Sequence, residues 1–246
     1  MNHLETVRKY YPIANTTDVM VNGMLNLIEA DLGLKPHQLM HADSLCCDDV
    51  NAIQYPPRAH EMLGPFNMGG LDGYPFAGLT GMGAFAHHVP DGGAIVIFYA
   101  PHIGVTKDGK IGEINRYGQD VNSTCCGAAK AALGKLSEGA INEGEITKND
   151  YQQNTIEQIL FESKDRILNA DIQIKEATDV IYEAIDEQIS FLIANTDYPC
   201  DHLFQVGGIM INGDRDMGSF STFNRFEYHN IKSGEKTDLR SRVADF

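Results

Sequence analysis

The chain has 246 residues, of which 43% are hydrophobic and 22% charged, and its formal net charge is −15. This composition suits one large folded domain or two small ones. The negative charge argues against nucleic acid or an anionic membrane as a partner, since both attract a cationic surface. No stretch approaches the roughly 18 apolar residues of a membrane helix. Five cysteines, an odd number, and residues 1–11 without a secretory signal predict reduced thiols and a cytoplasmic location.

The first third of the chain combines helical and turn signals. Apolar periodicity predicts a helix over residues 19–28, with a cap near Thr16. Residues 38–45 are typical of a short strand, and residues 58–63 of a short helix. Residues 64–83 are dense in glycine, which indicates tight turns, because the lysine of a phosphate-binding loop is missing.

The rest of the chain predicts an α/β fold. A continuous apolar run indicates a strand buried on both faces of a sheet. The elements expected here are, in chain order, that strand over residues 94–100, a hairpin partner over 110–116 after a turn at 108–109, a helix over 127–136, two helices within 147–195, and strands over 204–211 and 219–228. We therefore predict a single domain over residues 1–246, with a mixed central β-sheet flanked by helices.

Most of the cysteines are paired in sequence. They form neighbouring pairs at residues 46–47 and 125–126, and two histidines occupy residues 87–88 between them. Two thiolates and one imidazole would leave the fourth position open on a tetrahedral zinc ion, as in catalytic zinc sites. Asp48, two residues after Cys46, could then act on a zinc-bound water. Spacing alone leaves a purely structural role for these buried-type cysteines open.

Several motifs taken together carry a family resemblance. They are, in order, MGGLDGYPFAGLTGM at residues 68–82, AFAHHVPDGG at 84–93, YAPHIG at 99–104, GKIG at 109–112, NRYG at 115–118 and STCCGA at 123–128. This set resembles the limiting-CO2-inducible protein B family, which includes carbonic anhydrases related in fold and site to the β class. A weaker echo, GGIMING, lies at residues 207–213.

The resemblance implies a β-carbonic-anhydrase-like fold and a zinc enzyme. Its zinc ligands would be Cys46, His88 and Cys126, and Asp48 would orient a zinc-bound hydroxide. The implied reaction is the reversible hydration of CO2 to bicarbonate, with CO2 and bicarbonate as the small-molecule partners. A homodimer or a higher homo-oligomer is expected by the same resemblance.

An arginine is expected beside Asp48, because a guanidinium keeps a carboxylate ionised and oriented. The β class places this arginine two residues after the aspartate, where this chain has Val50. Arg58 is our first choice for the partner and Arg116 the second. His102 is interpreted as structural, with proton shuttling as the alternative.

Two other functions stay open on the sequence. A catalytically inactive zinc-binding scaffold, or a bicarbonate-responsive partner of the same family, would be favoured by the loss of an aspartate–arginine pair. A thiol hydrolase would use Cys46 or Cys126 as its nucleophile and a histidine as its base.

Overall fold

The structure, a computed structural model, describes residues 2–53 and 55–243. Its α-helices are α1 (His3–Arg8), α2 (Thr17–Leu32), α3 (Asp49–Ile53), α4 (Gly78–Ala86), α5 (Gly127–Ser137), α6 (Tyr151–Glu162), α7 (Lys164–Leu168), α8 (Gln173–Ala194) and α9 (Arg240–Val243). Short 3-10 helices cover Pro36–Gln38, Pro57–Glu61 and Leu71–Gly73.

The strands alternate with the α-helices as far as β4, and after it strands and helices come in runs. They are β1 (Asn15–Thr16), β2 (Leu39–Ser44), β3 (Leu63–Asn67), β4 (Ala94–Tyr99), β5 (His102–Gly104), β6 (Glu113–Ile114), β7 (Ser123–Thr124), β8 (His202–Gly207), β9 (Met210–Asn212), β10 (Ser219–Ser221), β11 (Arg225–Asn230) and β12 (Glu235–Asp238). Within the described residues none of the helices has the length and apolar character needed to cross a membrane.

The central sheet is mixed, as the sequence predicts. Among the described residues it has six strands in the order β12-β11-β8-β4-β2-β3. Strands β3, β2, β4 and β8 run parallel, while β11 and β12 are antiparallel additions at one edge. Because β2 and β4 are parallel neighbours, their carboxyl ends lie side by side at one edge of the sheet.

A smaller sheet in the order β1-β10-β9-β5 continues from that edge. Strand β5 follows β4 after two residues, and β9 follows β8 after two residues. The two sheets are joined by backbone, since the Gly208 N–H donates to the Tyr99 carbonyl at 3.1 Å. A Cβ at Gly208 would lie 1.7 Å from the Thr222 carbonyl oxygen. This close approach explains why the predicted strands 204–211 and 219–228 are each divided in two.

The core lies on both faces of the central sheet. Along β4, Ile95 and Ile97 pack into the cluster formed with α4, α5, α6 and α8, while Ala94 and Val96 pack into the cluster formed with α2. All four side chains are fully buried. Burial of each large aliphatic side chain contributes about 1.5–3 kcal/mol. The continuous apolar run of β4 is therefore explained by helices on both sides.

Three local predictions were wrong. The glycine-dense residues 64–83, which were expected to form tight turns, also contain most of β3 and most of α4. The turn at residues 106–110 does not bring the chain back beside β4, whose neighbours in the sheet are β2 and β8. It instead connects Val105 and Ile111, which form an isolated antiparallel bridge. The acidic segment contains three helices instead of two, because Ser163 leaves helical backbone angles between α6 and α7. In α8 the buried residues recur at helical spacing, so this helix was predictable from its periodicity.

Candidate metal centre

Three separate elements supply the residues of the candidate site. Cys46 follows the end of β2, and His102 is the first residue of β5, just beyond the end of β4. Cys126 is the N-cap residue of α5. Because β2 and β4 end at the same edge of the sheet, the chain segments that follow them converge there, and the start of α5 closes the site.

The three side chains form a compact and buried group. The sulfur atoms of Cys46 and Cys126 and a ring nitrogen of His102 all lie within 4.8 Å of one another. The exposed fractions of the residues are 7%, 3% and 1% in that order. Zinc–sulfur bonds of about 2.3 Å and zinc–nitrogen bonds of about 2.0 Å would fit between donors at this separation.

The two nitrogens of His102 have different surroundings. Nδ1 lies 2.7 Å from Oδ1 of Asn212. Nε2 is buried and has no hydrogen-bond partner in the described residues. A buried ring nitrogen without a partner is costly, and a metal ion bound there would satisfy it. With two sulfur donors beside it, the group fits zinc, which prefers nitrogen and sulfur ligands.

Asp72 supports the ligands from the glycine-dense segment. Its backbone N–H donates to Sγ of Cys46 at 3.2 Å, and its Oδ1 accepts the backbone N–H of His102 at 3.2 Å. Asp72 has φ +49°, a left-handed conformation that is uncommon outside glycine and stores roughly 1–3 kcal/mol. The strain is held in place by these two contacts, so the turn positions two of the three ligands.

The pKa values of the two candidate ligand thiols are shifted in opposite directions. A hydrogen bond from Cys126 lowers the pKa of Cys46 to about 4, although burial opposes this shift. The same hydrogen bond raises the pKa of Cys126 well above its usual value. The site thus holds one thiolate readily, and a bound cation would favour ionisation of the second, since metal ligation requires the thiolate form.

Asp48 lies beside the group and is held by an arginine. Arg116 donates to both carboxylate oxygens, from Nη1 to Oδ1 at 2.8 Å and from Nη2 to Oδ2 at 2.7 Å. Oδ2 of Asp48 also lies 4.0 Å from Nε2 of His102. Burial raises the pKa of Asp48, but the hydrogen bonds from Arg116, the backbone N–H of Val50 and the positive charges nearby together outweigh burial and leave the pKa at about 2. Asp48 is therefore ionised at neutral pH.

The structure does not bring His88 to the cysteines. It is exposed after the end of α4, with its ring centre 5.7 Å from that of Phe66. Helix α4 packs on the core through Met82 and Phe85, which leaves the residues after it at the surface. The histidine of the cluster is His102, which the sequence analysis interpreted as structural.

Arg58 is likewise placed away from Asp48. Its Nη1 donates to Oδ1 of Asn26 on α2 at 2.8 Å. The 3-10 helix that carries Arg58 packs against α2, so its side chain follows that surface. The second-choice arginine, Arg116, makes the bidentate contact, and Ser123 accepts from its Nε at 3.0 Å.

Cys125 offers a second possible donor set. A carboxylate oxygen of Asp48, a ring nitrogen of His102 and Sγ of Cys125 also lie within 4.8 Å of one another. Sγ of Cys125 is 3.4 Å from Nδ1 of His102, on the ring side that Asn212 occupies. Both groups share His102, and the free Nε2 favours the set with Cys46 and Cys126. Cys47 is exposed.

A cleft of about 610 Å³ opens beside this site. Arg116 lines it together with Asp49, Val50, Tyr55 and Ile114. Arg116 thus faces the cleft and contacts Asp48 behind it. The side chain of Asp48 is 17% exposed, and its neighbours Asp49 and Val50 line the cleft together with Arg116.

The sequence carried weak signals for the residues that it missed. His102 comes two residues after the clearest predicted strand, and Cys46 directly follows another predicted strand. Polar residues just beyond parallel strands gather at one edge of a sheet, where α/β folds bind ligands. That rule favours His102 over His88, but it needs the strand order, which the sequence did not supply.

Comparisons with known proteins agree with the resemblance. Residues 15–230 match the family described as limiting CO2-inducible proteins B/C beta carbonic anhydrases. The crystal structure of PtLCIB4, a homolog of the limiting CO2-inducible protein LCIB, is similar with a TM-score of 0.82 at 29% identity, covering 96% of this chain and 98% of that chain.

The crystal structure of LCIB has a TM-score of 0.70 at 20% identity, covering 94% of this chain and 95% of that chain. At this identity the likeness shows a shared fold. No curated protein sequence matches the chain. With the family match spanning most of its length, the chain belongs to the limiting CO2-inducible protein B/C family of β carbonic anhydrases.

Proposed function

We propose that this chain catalyses the reversible hydration of CO2 to bicarbonate, with zinc held by Cys46, His102 and Cys126. The observation that carries the proposal is the position of Asp48. Arg116 locks its carboxylate, and the carboxylate lies 4.0 Å from the ring nitrogen of His102 that has no other partner. Family membership supports the choice of CO2 and bicarbonate as substrates.

Zinc bound in this group would supply the Lewis acidity that turns water into a nucleophile near neutral pH. Two thiolates neutralise much of the charge of the ion, so more of the work falls on the neighbouring protein groups. An ionised Asp48 can only accept hydrogen bonds. It would fix the O–H direction of a water molecule beside it and leave an oxygen lone pair aimed toward CO2.

Arg116 keeps Asp48 in that role. Its two hydrogen bonds hold the plane of the carboxylate, and its charge prevents protonation. Arg116 is fixed in turn by Ser123, and Nη1 also donates to Asp49 at 3.2 Å. A carboxylate held this way does not need to reorient during the reaction. Such preorganisation of charged groups is the usual source of electrostatic catalysis.

This arrangement weakens the two alternatives. The inactive scaffold was favoured by the absence of an arginine near Asp48 in sequence, and Arg116 provides one in space. A thiol hydrolase with Cys46 or Cys126 as its nucleophile would need its substrate to reach residues that are only 7% and 3% exposed. Cys125 also contacts His102. Cys125 is fully buried, so a substrate cannot reach its sulfur without displacement of the core.

The test is stopped-flow CO2 hydration on purified protein with its zinc content measured. We expect zinc-dependent hydration in the wild type and loss of both zinc and activity in His102→Ala. His88→Ala is the matched control, because His88 is exposed and outside the cluster; it should keep both. Activity that survives His102→Ala but is lost in His88→Ala would overturn the ligand assignment. A wild type with one zinc per chain and no hydration would favour the scaffold.

Two further parts of the proposal depend on the family resemblance and on composition. A homodimer or higher homo-oligomer follows from likeness to the β class, and light scattering coupled to size-exclusion chromatography would measure it. A cytoplasmic location follows from the reduced thiols, and imaging of a tagged chain would test it.

A further inference from the structure

Two buried asparagines connect the carbonyl of one candidate ligand to the ring of another. Asn51 lies on α3, and Asn212 is the last residue of β9. Their exposed fractions are 2% and 0%. Neither residue takes part in the proposed chemistry, and side-chain amides are rarely buried without a specific role.

The chain of hydrogen bonds starts at Cys46. Nδ2 of Asn51 donates to the Cys46 carbonyl oxygen at 3.2 Å. Because a carbonyl oxygen only accepts hydrogen bonds, this contact fixes which end of the Asn51 amide faces Cys46. The amide oxygen of Asn51 must then face the other way, toward Asn212.

The orientation of Asn212 follows from that of Asn51. Nδ2 of Asn212 donates to Oδ1 of Asn51 at 3.2 Å, so Oδ1 of Asn212 faces His102, 2.7 Å from Nδ1. The thiol of Cys125 donates to the same oxygen at 3.4 Å. An amide oxygen cannot donate, and therefore Nδ1 of His102 must carry the proton.

We propose that Asn51 and Asn212 are positioning residues that select the Nδ1–H tautomer of His102 and so present the lone pair of Nε2 to the metal. A neutral imidazole has one protonated nitrogen. With a proton held on Nδ1, Nε2 is the ring nitrogen whose lone pair is left for the cation. The relay also ties the ring of His102 to the backbone of Cys46, which fixes the distance between the two ligands.

This inference rests on the zinc site of the proposed function, but not on its CO2 hydration. Partners of this kind typically change metal affinity 10- to 100-fold. We expect Asn212→Leu, which keeps the size and removes the acceptor, to weaken zinc binding by about that factor. Asn51→Leu should weaken it less, because Oδ1 of Asn212 can still accept. Competition with a chromophoric chelator measures both.

The relay also predicts that the two substitutions are coupled. Once Asn212 is replaced, Asn51 reaches the site only through the Cys46 carbonyl, so adding Asn51→Leu should cause a smaller loss of zinc affinity than it causes in the wild type. Gln205→Met is the matched control. Gln205 is a buried amide that donates to Tyr99 and Ser190, and its replacement should lower stability without changing zinc affinity.

A measurement on the wild type needs no variant to fold. Nitrogen-15 NMR of the zinc-loaded protein should show a protonated Nδ1 and a metal-bound Nε2 in His102. Metal bound through Nδ1 would overturn the inference, as would Asn212→Leu with unchanged zinc affinity and an intact fold by circular dichroism. Zinc bound through Nε2 with no CO2 hydration would leave the inference standing and refute the hydration proposal. A wild type that does not bind zinc would refute both.

Discussion

The contact between Arg116 and Asp48 gives the sharpest prediction about activity. Replacing Arg116 with Gln removes the positive charge and the fork that holds both carboxylate oxygens, whose hydrogen bonds measure 2.8 and 2.7 Å. Hydrogen bonds to charged groups contribute about 1.5–3 kcal/mol each. Gln can replace at most one of these two hydrogen bonds. If the other one helps to orient Asp48 in the transition state, its loss lowers kcat/KM by roughly 10- to 100-fold.

The same variant changes the pH dependence of the reaction. The pKa of Asp48 is lowered from 3.8 to about 2 against the effect of burial, and the hydrogen bonds of Arg116 make the largest of the contributions that lower it. Without Arg116, burial is opposed only by weaker groups, so the pKa rises and the carboxylate is lost at a higher pH. The acid limb of kcat/KM against pH should therefore move upward.

The assay is stopped-flow CO2 hydration, expressed per bound zinc, across a pH series. Arg58→Gln is the control, since Arg58 also contacts a side-chain oxygen, that of Asn26, but lies away from Asp48. Arg116→Lys should recover part of the rate and not all, because lysine keeps the charge and lacks the fork. An Arg116→Gln variant with full zinc, a rate within twofold of the wild type and an unmoved acid limb would refute the reasoning.

Three more predictions follow from burial and charge. Cys125→Ser should retain stoichiometric zinc by elemental analysis, because a hydroxyl still donates to Asn212; loss of zinc would assign Cys125 as a ligand. A zinc chelator should lower the Tm of the wild type but not of Cys126→Ser, since zinc stabilises only the chain that binds it; equal shifts in both would contradict the site. Burial lowers the pKa of His41 from 6.5 to about 4. Between those two pH values the unfolded chain binds more protons than the folded chain. The free energy of unfolding therefore falls as the pH decreases through this range, by up to about 3 kcal/mol. Urea titrations should show this loss in the wild type and a flatter profile in His41→Asn, which keeps a donor for the Leu63 carbonyl; identical profiles would exclude His41 as the cause.

Local pattern was enough to predict the elements that carry the site. The strand before Cys46, the buried run of β4 and the helix that begins after Cys126 are all confirmed. Each depends on neighbouring residues in sequence: an apolar run, an alternation, or a helix start. Such signals predict the elements correctly because the apolar positions of the pattern are the ones that the sheet and its helices bury.

The identity of the site residues depends on contacts that sequence spacing does not contain. His88 follows the cysteine-rich pattern as well as His102 does, and Arg58 is nearer to Asp48 in sequence than Arg116. His102 lies beside Cys46 because β4 and β2 are parallel neighbours. Arg116 contacts Asp48 because the segment between β6 and β7 folds over the end of β2. Strand order decides the first, and the path of the segment between β6 and β7 decides the second. Both depend on contacts between parts of the chain that are distant in sequence.

In the proposed zinc site, charge balance predicts that Arg116 matters more than it would in a site built from three histidines. A zinc ion and Arg116 would together carry three positive charges, which would match those of two ligand thiolates and Asp48. Without Arg116 the site would carry net negative charge in a buried setting, where an unpaired charge is expensive. The protonated form of Asp48 would then be favoured, and a protonated carboxyl group would lose the ability to orient water. With Arg116 in place the zinc-loaded site would be neutral before an anion binds, so it would have no excess positive charge with which to retain bicarbonate, the anion that the proposed reaction releases.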